Sequence, residues 1–165
     1  MRFSALKMIF ICAFSSLTFL SIISLAHADD LGPTITYFYD GDTVKIQQGL
    51  LEYKLRLTDI DAPERNQAYG KASRRALATL CKNADVKVYL SGLDKYQRNL
   101  GKLSCNNQDA SVFMINNGHA WFNRRYSMDY TLDLAEQNAR TNKIGLWKRK
   151  NPTAPWQWRQ HHSHD

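Results

Sequence analysis

The sequence predicts an α+β domain: a small five-stranded β-barrel decorated by three α-helices. Three observations lead there. Between residues 34 and 57, apolar and polar side chains alternate in three short runs, the period of half-buried strands. Two further strand-like segments, 86–89 and 100–104, follow a stretch of helical periodicity. Two more helical segments close the pattern. Many short strands around one interposed helix suit a closed barrel better than a layered parallel sheet.

Each element has its own signal. Ile35, Tyr37 and Tyr39 alternate with Thr34, Thr36 and Phe38, and Val44-Lys45-Ile46 resumes the pattern after Gly41. Gln48-Gly49 marks a turn. Leu51, Tyr53, Leu55 and Leu57 then alternate with Glu52, Lys54 and Arg56, so Arg56 lies on a charged strand face. Pro63 fixes a turn over 59–64. Over 69–80, Tyr69, Ala72, Ala76, Leu77 and Leu80 share one helical face, and Lys71, Arg74 and Arg75 cover the other. Asn106-Asn107 turns the chain after the fifth strand. Asp109 caps a helix over 110–117, with Gly118 as its stop. A third helix spans 128–141 and ends before Gly145. From residue 151 the chain carries two prolines, two tryptophans and three histidines with no clear period. Residues 151–165 are therefore expected to form a flexible tail beyond a domain at 29–150. The run His161-His162-Ser163-His164 reads as part of that tail, with weak binding of a borderline metal as the other reading.

Residues 1–28 have the pattern of an export signal. Arg2 and Lys7 precede an apolar run over 8–25, and Ala26-His27-Ala28 follows as a small-residue cleavage site. An uncleaved membrane anchor is the alternative. Cleavage leaves 137 residues and places the protein in a periplasm or outside the cell, with no membrane attachment. The two remaining cysteines, Cys81 and Cys105, then read as a disulfide, with two buried thiols as the alternative.

Charge and composition narrow the classes of function. Of 165 residues, 44% are hydrophobic and 22% charged, which excludes a disordered chain. The absence of repeats excludes collagen, solenoids and coiled coils. The formal net charge is +7, or +5 after signal removal. It is unevenly placed: residues 29–64 carry eight acids and three bases, whereas 65–165 carry seven acids and 17 bases. An acidic cluster inside a basic chain suggests a cation site on a polyanion-binding surface, against chance sorting of surface charge.

Two carboxylate turns could supply that cation site. Asp40-Gly41-Asp42-Thr43 lies at a strand turn, and Asp61-Ala62-Pro63-Glu64 lies at the end of the third strand. Hard cations such as Ca²⁺ take oxygen ligands of this kind. Two ordinary Asx turns remain the other reading. Arg56 and Arg98 shift the balance, because a guanidinium fork donates two parallel hydrogen bonds to phosphate and stays charged. A cation plus two arginines matches the needs of phosphoryl chemistry.

The residues then resemble the staphylococcal nuclease (thermonuclease) family. The resemblance is carried by Tyr39-Asp40-Gly41-Asp42-Thr43-Val44, Leu55-Arg56-Leu57, Ile60-Asp61-Ala62-Pro63-Glu64 and Tyr69-Gly70. It continues in Asp94-Lys95-Tyr96-Gln97-Arg98, Asn117-Gly118-His119-Ala120-Trp121 and Gly145-Leu146-Trp147. It implies an OB-fold barrel and a Ca²⁺-dependent nuclease acting on DNA and RNA without sequence preference, leaving 3′-phosphorylated products. By resemblance, Asp42 and Asp61 are metal ligands, joined by the Ala62 carbonyl, with Asp40 behind them. Glu64 matches a general base, Arg56 and Arg98 match phosphate-binding arginines, and Lys95 and Tyr96 match substrate contacts. Gln97 and Asn99 stand where the family often has Gly, which bears on the orientation of Arg98. Arg124 replaces a family Tyr and could face a phosphate, while Tyr126 remains as a base-stacking group.

Lys71, Arg74, Arg75 and Arg125 are further candidates to track phosphates. Trp121 reads as core packing before stacking. Single strands are the expected substrate form and a monomer the expected state. The alternative function is a non-catalytic OB-fold protein that binds single-stranded nucleic acid. The simultaneous presence of Asp42, Asp61, Glu64, Arg56 and Arg98 favours the enzyme.

Overall fold

The computed structural model describes residues 32–162. The expected signal segment 1–28 lies outside the described residues, as does the end of the tail. Five strands form the path of the six-stranded main sheet: β1 (Thr34–Phe38), β2 (Thr43–Gln48), β3 (Leu51–Leu57), β5 (Val86–Leu93) and β6 (Asn99–Cys105). Their spatial order is β1-β2-β3-β6-β5. The β2–β3 pair is an antiparallel hairpin in which Gln48 opposes Leu51. Gly49 supplies the positive φ, 57°, that the tight turn needs. β3 meets β6 in parallel, with Arg56 opposite Leu100. Among the described residues no ladder joins β1 to β5, so the OB-type sheet curls without closing.

Short pairs complete the strands. β4 (Ile60–Asp61) pairs with β8 (Trp121–Phe122), and β7 (Gln108–Asp109) pairs with the end of β6. The turn between β6 and β7 is Asn106-Asn107, with φ of 50° and 61°, values that Asn tolerates well.

The helices seal the sheet. α1 (Gly70–Cys81) buries Gly70, Ser73, Leu77 and Cys81. This stripe is rotated from the expected one: Ala76 and Leu80 only flank the core, and Ser73 is buried because its hydroxyl donates to the His119 carbonyl at 2.7 Å. α2 (Ala110–Asn116) starts at Asp109, whose carboxylate accepts the Val112 N–H. α3 (Tyr130–Thr141) is capped in the same way by Asp129. Val44, Ile46, Leu55 and Leu57 are fully buried against Leu77, Leu103, Met114 and Ile115, which forms the core. Cys81 and Cys105 are bonded as a disulfide, joining the end of α1 to the end of β6.

A fourth helix lies in the tail, where no sequence period marks it. α4 (Pro155–His161) begins with Pro at its first position, and the Gln157 side chain accepts from the Ala154 N–H. The tail expected to be flexible is thus folded back over the domain through residue 162. Ala154 is buried with Trp121, Ala139, Leu146 and Trp147 in a second small core. Trp156 meets Trp121 edge-on at 6.5 Å, and Trp147 meets it at 5.0 Å. Trp121 therefore packs, as its position after a helix end suggested.

Candidate active site

The two carboxylate turns do meet. Asp40 shapes the first: its Oδ1 accepts the backbone N–H groups of Asp42 and Thr43 at 2.9 and 2.7 Å. That Asx turn aims the Asp42 side chain inward. Gly41 is required there, because a Cβ would lie 1.9 Å from the Ser73 hydroxyl of α1. Asp42 Oδ1 accepts from the Thr43 hydroxyl at 2.8 Å, and Oδ2 accepts from the Ala62 N–H at 2.6 Å. The Ala62 peptide therefore abuts Asp42.

Arg56 ties the turns together. Its Nη1 lies 2.9 Å from Asp42 Oδ2 and its Nη2 lies 2.9 Å from Asp61 Oδ1. Nη1 also donates to the carbonyls of Leu57 and Ile60 at 2.8 and 2.9 Å. The polar strand face does not point Arg56 into solvent: its side chain is 12% exposed. The fork fixes the spacing of two buried acids, a task that a lysine point charge could not perform. Burial pushes the Asp42 carboxyl well above the usual range, and the neighbouring Asp40 and Asp61 add to this. Arg56 opposes the shift.

Glu64 sits at the rim, 33% exposed. Its backbone N–H donates to the Gln67 side chain at 3.0 Å, and Gln67 in turn donates to the Thr153 carbonyl at 2.7 Å. Gly70 lets the loop close, since a Cβ there would lie 1.9 Å from the Glu64 carbonyl oxygen.

The second expected arginine is paired elsewhere, with Asp94. Arg98 Nε donates to Asp94 at 2.7 Å, and its backbone N–H donates to the same carboxylate at 2.9 Å. Partial burial raises the Asp94 carboxyl, yet bonds from Arg98 and Tyr96 outweigh it and hold the group below its usual value. Gln97 adopts φ of 59° in this loop, so the left-handed turn forms without glycine. Tyr96 is exposed, with Lys95 at 4.9 Å and Arg98 at 5.6 Å from its ring centre.

Arg124 is already engaged. It pairs with Asp133 and, at 2.6 Å, with the fully buried Glu136. Its charge is therefore balanced within α3, which lowers its standing as a phosphate contact. Tyr126 is exposed beside Arg125. Arg74 donates to the Phe38 carbonyl at 2.7 Å and lies over the Tyr37 ring, while Lys71 and Arg75 remain exposed. Arg65, Lys71 and Arg75 line an open basic hollow of about 540 Å³ next to the Glu64 loop.

One residue in the cluster was missed. Arg159 of α4 reaches Asp61 with both terminal nitrogens, at 3.1 and 2.7 Å, and Glu64 at 2.7 Å. It lies 98 positions from Asp61. A long-range pair of this kind leaves no local pattern. The available signals were the Pro155 helix start and Trp156, which packs edge-on against Trp121.

Two buried carboxylates bridged by an arginine fork, with Glu64 at the rim and a basic hollow beside them, form a charged cleft on an OB-type sheet. Comparison with known proteins specifies it. Residues 54–149 match the family described as staphylococcal nuclease homologue. An "Uncharacterized endonuclease" of Haemophilus influenzae is 38% identical over 122 residues, covering 73% of this chain and 68% of that one. A "Micrococcal nuclease" of Shigella flexneri is 32% identical over 150 residues, covering 84% and 86%. A "Probable staphylococcal-like nuclease CAN2" of Oryza sativa subsp. japonica is 40% identical over 109 residues, and the chain spans only 30% of that longer protein. The chain belongs to the staphylococcal nuclease family, and it is a hydrolase of the nuclease class.

The donor set fits a hard divalent cation. Asp42 and Asp61 offer carboxylate oxygens on either side of one guanidinium, and Glu64 is near. Among the described residues no three His, Cys, Asp or Glu side chains form a preassembled cage. A cation held there would need main-chain oxygen and water to complete its coordination. Ca²⁺, with six to eight oxygens in irregular geometry, accepts such a set more readily than Mg²⁺.

Proposed function

We propose that this protein is an exported, Ca²⁺-dependent, sequence-nonspecific nuclease that hydrolyses DNA and RNA to 3′-phosphorylated products. The observation that carries the reading is the Arg56 fork spanning Asp42 and Asp61, with Glu64 three residues beyond Asp61. The names endonuclease and micrococcal nuclease borne by relatives support it.

Each residue has a task in the proposed reaction. Asp42 and Asp61 would hold Ca²⁺ with the Ala62 carbonyl, and Asp40 holds the Asp42 turn in shape. The cation supplies Lewis-acid stabilisation of the phosphoryl oxygens. Glu64, at the rim, accepts a proton from the attacking water. Arg56 sets the spacing of the ligands and adds positive charge where negative charge grows on phosphorus. Arg98, exchanging Asp94 for phosphate, adds the second guanidinium. Tyr96, Tyr126 and Lys95 receive the strand, with bases stacking on the exposed rings, which favours single strands over paired ones. Arg124 remains a peripheral contributor at most, since Asp133 and Glu136 hold it. The segment 1–28 is proposed to be removed on export to a periplasm or beyond, and the mature chain to act as a monomer. No helix among the described residues is long and apolar enough to cross a membrane.

Denatured DNA and RNA, incubated with protein lacking residues 1–28 in Ca²⁺ or EDTA, test this directly. Degradation is expected in Ca²⁺ and none in EDTA. Glu64→Ala and Arg56→Ala are expected to reduce the rate by orders of magnitude. Binding of single strands in Ca²⁺ without cleavage would leave only the binding-protein reading.

A further inference from the structure

The guanidinium of Arg159 occupies the carboxylates that face the cation site. Asp61 Oδ2 receives Arg159 Nη2, and Oδ1 is shared between Arg159 Nη1 and Arg56 Nη2. Glu64 Oε1 receives Arg159 Nη1. Asp61 thus lies between two guanidinium groups.

The two arginines are held very differently. Arg56 is nearly enclosed and also serves the main-chain carbonyls of Leu57 and Ile60. Removing it would break the strand end as well as the ion pairs. Arg159 has a half-exposed side chain that, among the described residues, bonds only to the two carboxylates. The helix that carries it is seated by other groups: Ala154 in the small core, Trp156 on Trp121, and the Thr153 carbonyl on Gln67. The Arg159 side chain can therefore leave while α4 stays docked.

A hard cation needs oxygens that Arg159 now uses. A divalent cation would compete with the Arg159 guanidinium for the same Asp61 and Glu64 oxygens, and its double charge would add to the repulsion already present there. We propose that Arg159 is the resident counter-ion of Asp61 and Glu64, exchanged for the divalent cation, and that it thereby sets the metal affinity of the site. Without the metal, it offsets the repulsion between the two acids. With the metal, its positive charge is released beside the reacting phosphate. The role is that of a positioning residue. It rests on the reading of Asp42 and Asp61 as cation ligands.

Calorimetric titration of CaCl₂ into EDTA-stripped, full-length mature protein tests this. Arg159→Gln is expected to bind Ca²⁺ roughly tenfold tighter or more, because one repelling charge is gone. Its Ca²⁺-free form is expected to melt earlier and to gain more in Tm on Ca²⁺ addition than the wild type does. Arg159→Lys keeps the charge without the fork, is expected to fold without metal, and should fall between the two in Ca²⁺ affinity. Equal or weaker Ca²⁺ affinity in Arg159→Gln overturns the inference. So does a raised KM for single-stranded DNA at saturating Ca²⁺ with unchanged metal affinity, which would assign Arg159 to the phosphate instead. Ca²⁺-dependent cleavage by the wild type with equal Ca²⁺ affinities in all three proteins would overturn this inference alone. Absence of Ca²⁺ binding and of cleavage would overturn the nuclease reading with it.

Discussion

At the scale of single residues, the site depends on close approach as much as on charge. Gly70 has no room for a methyl group, because the Glu64 carbonyl lies where its Cβ would be. Gly70→Ala is therefore expected to lower stability by about 1–3 kcal/mol, the usual cost of overpacking. It should also depress kcat by shifting the Glu64 loop, measurable by denaturant unfolding beside a cleavage assay. Unchanged stability and rate would mean that the loop yields freely. Asp40, Asp42, Arg56, Asp61 and Glu64 were legible in the sequence, because turns and a strand end place them within 25 consecutive residues. The burial of Arg56 was not legible. Its alternation marked a polar face, but that face is covered by the second carboxylate turn. The standing of Arg124 was likewise hidden, since Asp133 and Glu136 come from a later helix. Arg159 was hidden for the same reason.

Among elements, the strong periods were the readable ones. β1 to β3, α1 to α3 and the hairpin turns at Gly49 and Asn106-Asn107 follow from alternation, caps and left-handed turn residues. The stripe of α1 was misjudged because Ser73 looks polar, and only the distant His119 carbonyl makes its burial cheap. The two-residue pairs β4 and β8 have too little length for any period. α4 has seven residues and is held by tertiary contacts, which short helices need in water. The disulfide is an element-level prediction with a test. It closes a separation of 24 residues, worth about 3 kcal/mol on the chain-entropy account. A thiol count on unreduced protein should find no free thiol at Cys81 or Cys105. Cys81→Ala with Cys105→Ala should lower unfolding free energy by roughly that amount. Two titratable thiols in the native protein would contradict the pairing.

Over the whole molecule, charge segregation now has a location. In the acidic stretch, Asp42 and Asp61 are bridged by one fork, with Asp40 shaping the Asp42 turn and Glu64 at the rim, and Arg65, Lys71 and Arg75 line a hollow beside them. The basic remainder also supplies Arg159, returned from the C-terminal end to the acidic cluster. Net charge suggested a polyanionic partner, and the proposed reading places the reaction at this cluster. The central claim is that Asp42 and Asp61 share one activating cation. Its most direct test is the Ca²⁺ dependence of cleavage of a single-stranded oligonucleotide by wild type, Asp42→Asn and Asp61→Asn, each verified as folded. The account predicts that both variants need at least tenfold more Ca²⁺ for half-maximal rate and that EDTA silences all three proteins. Cleavage that persists in EDTA, or half-maximal Ca²⁺ concentrations equal across the three, would contradict it.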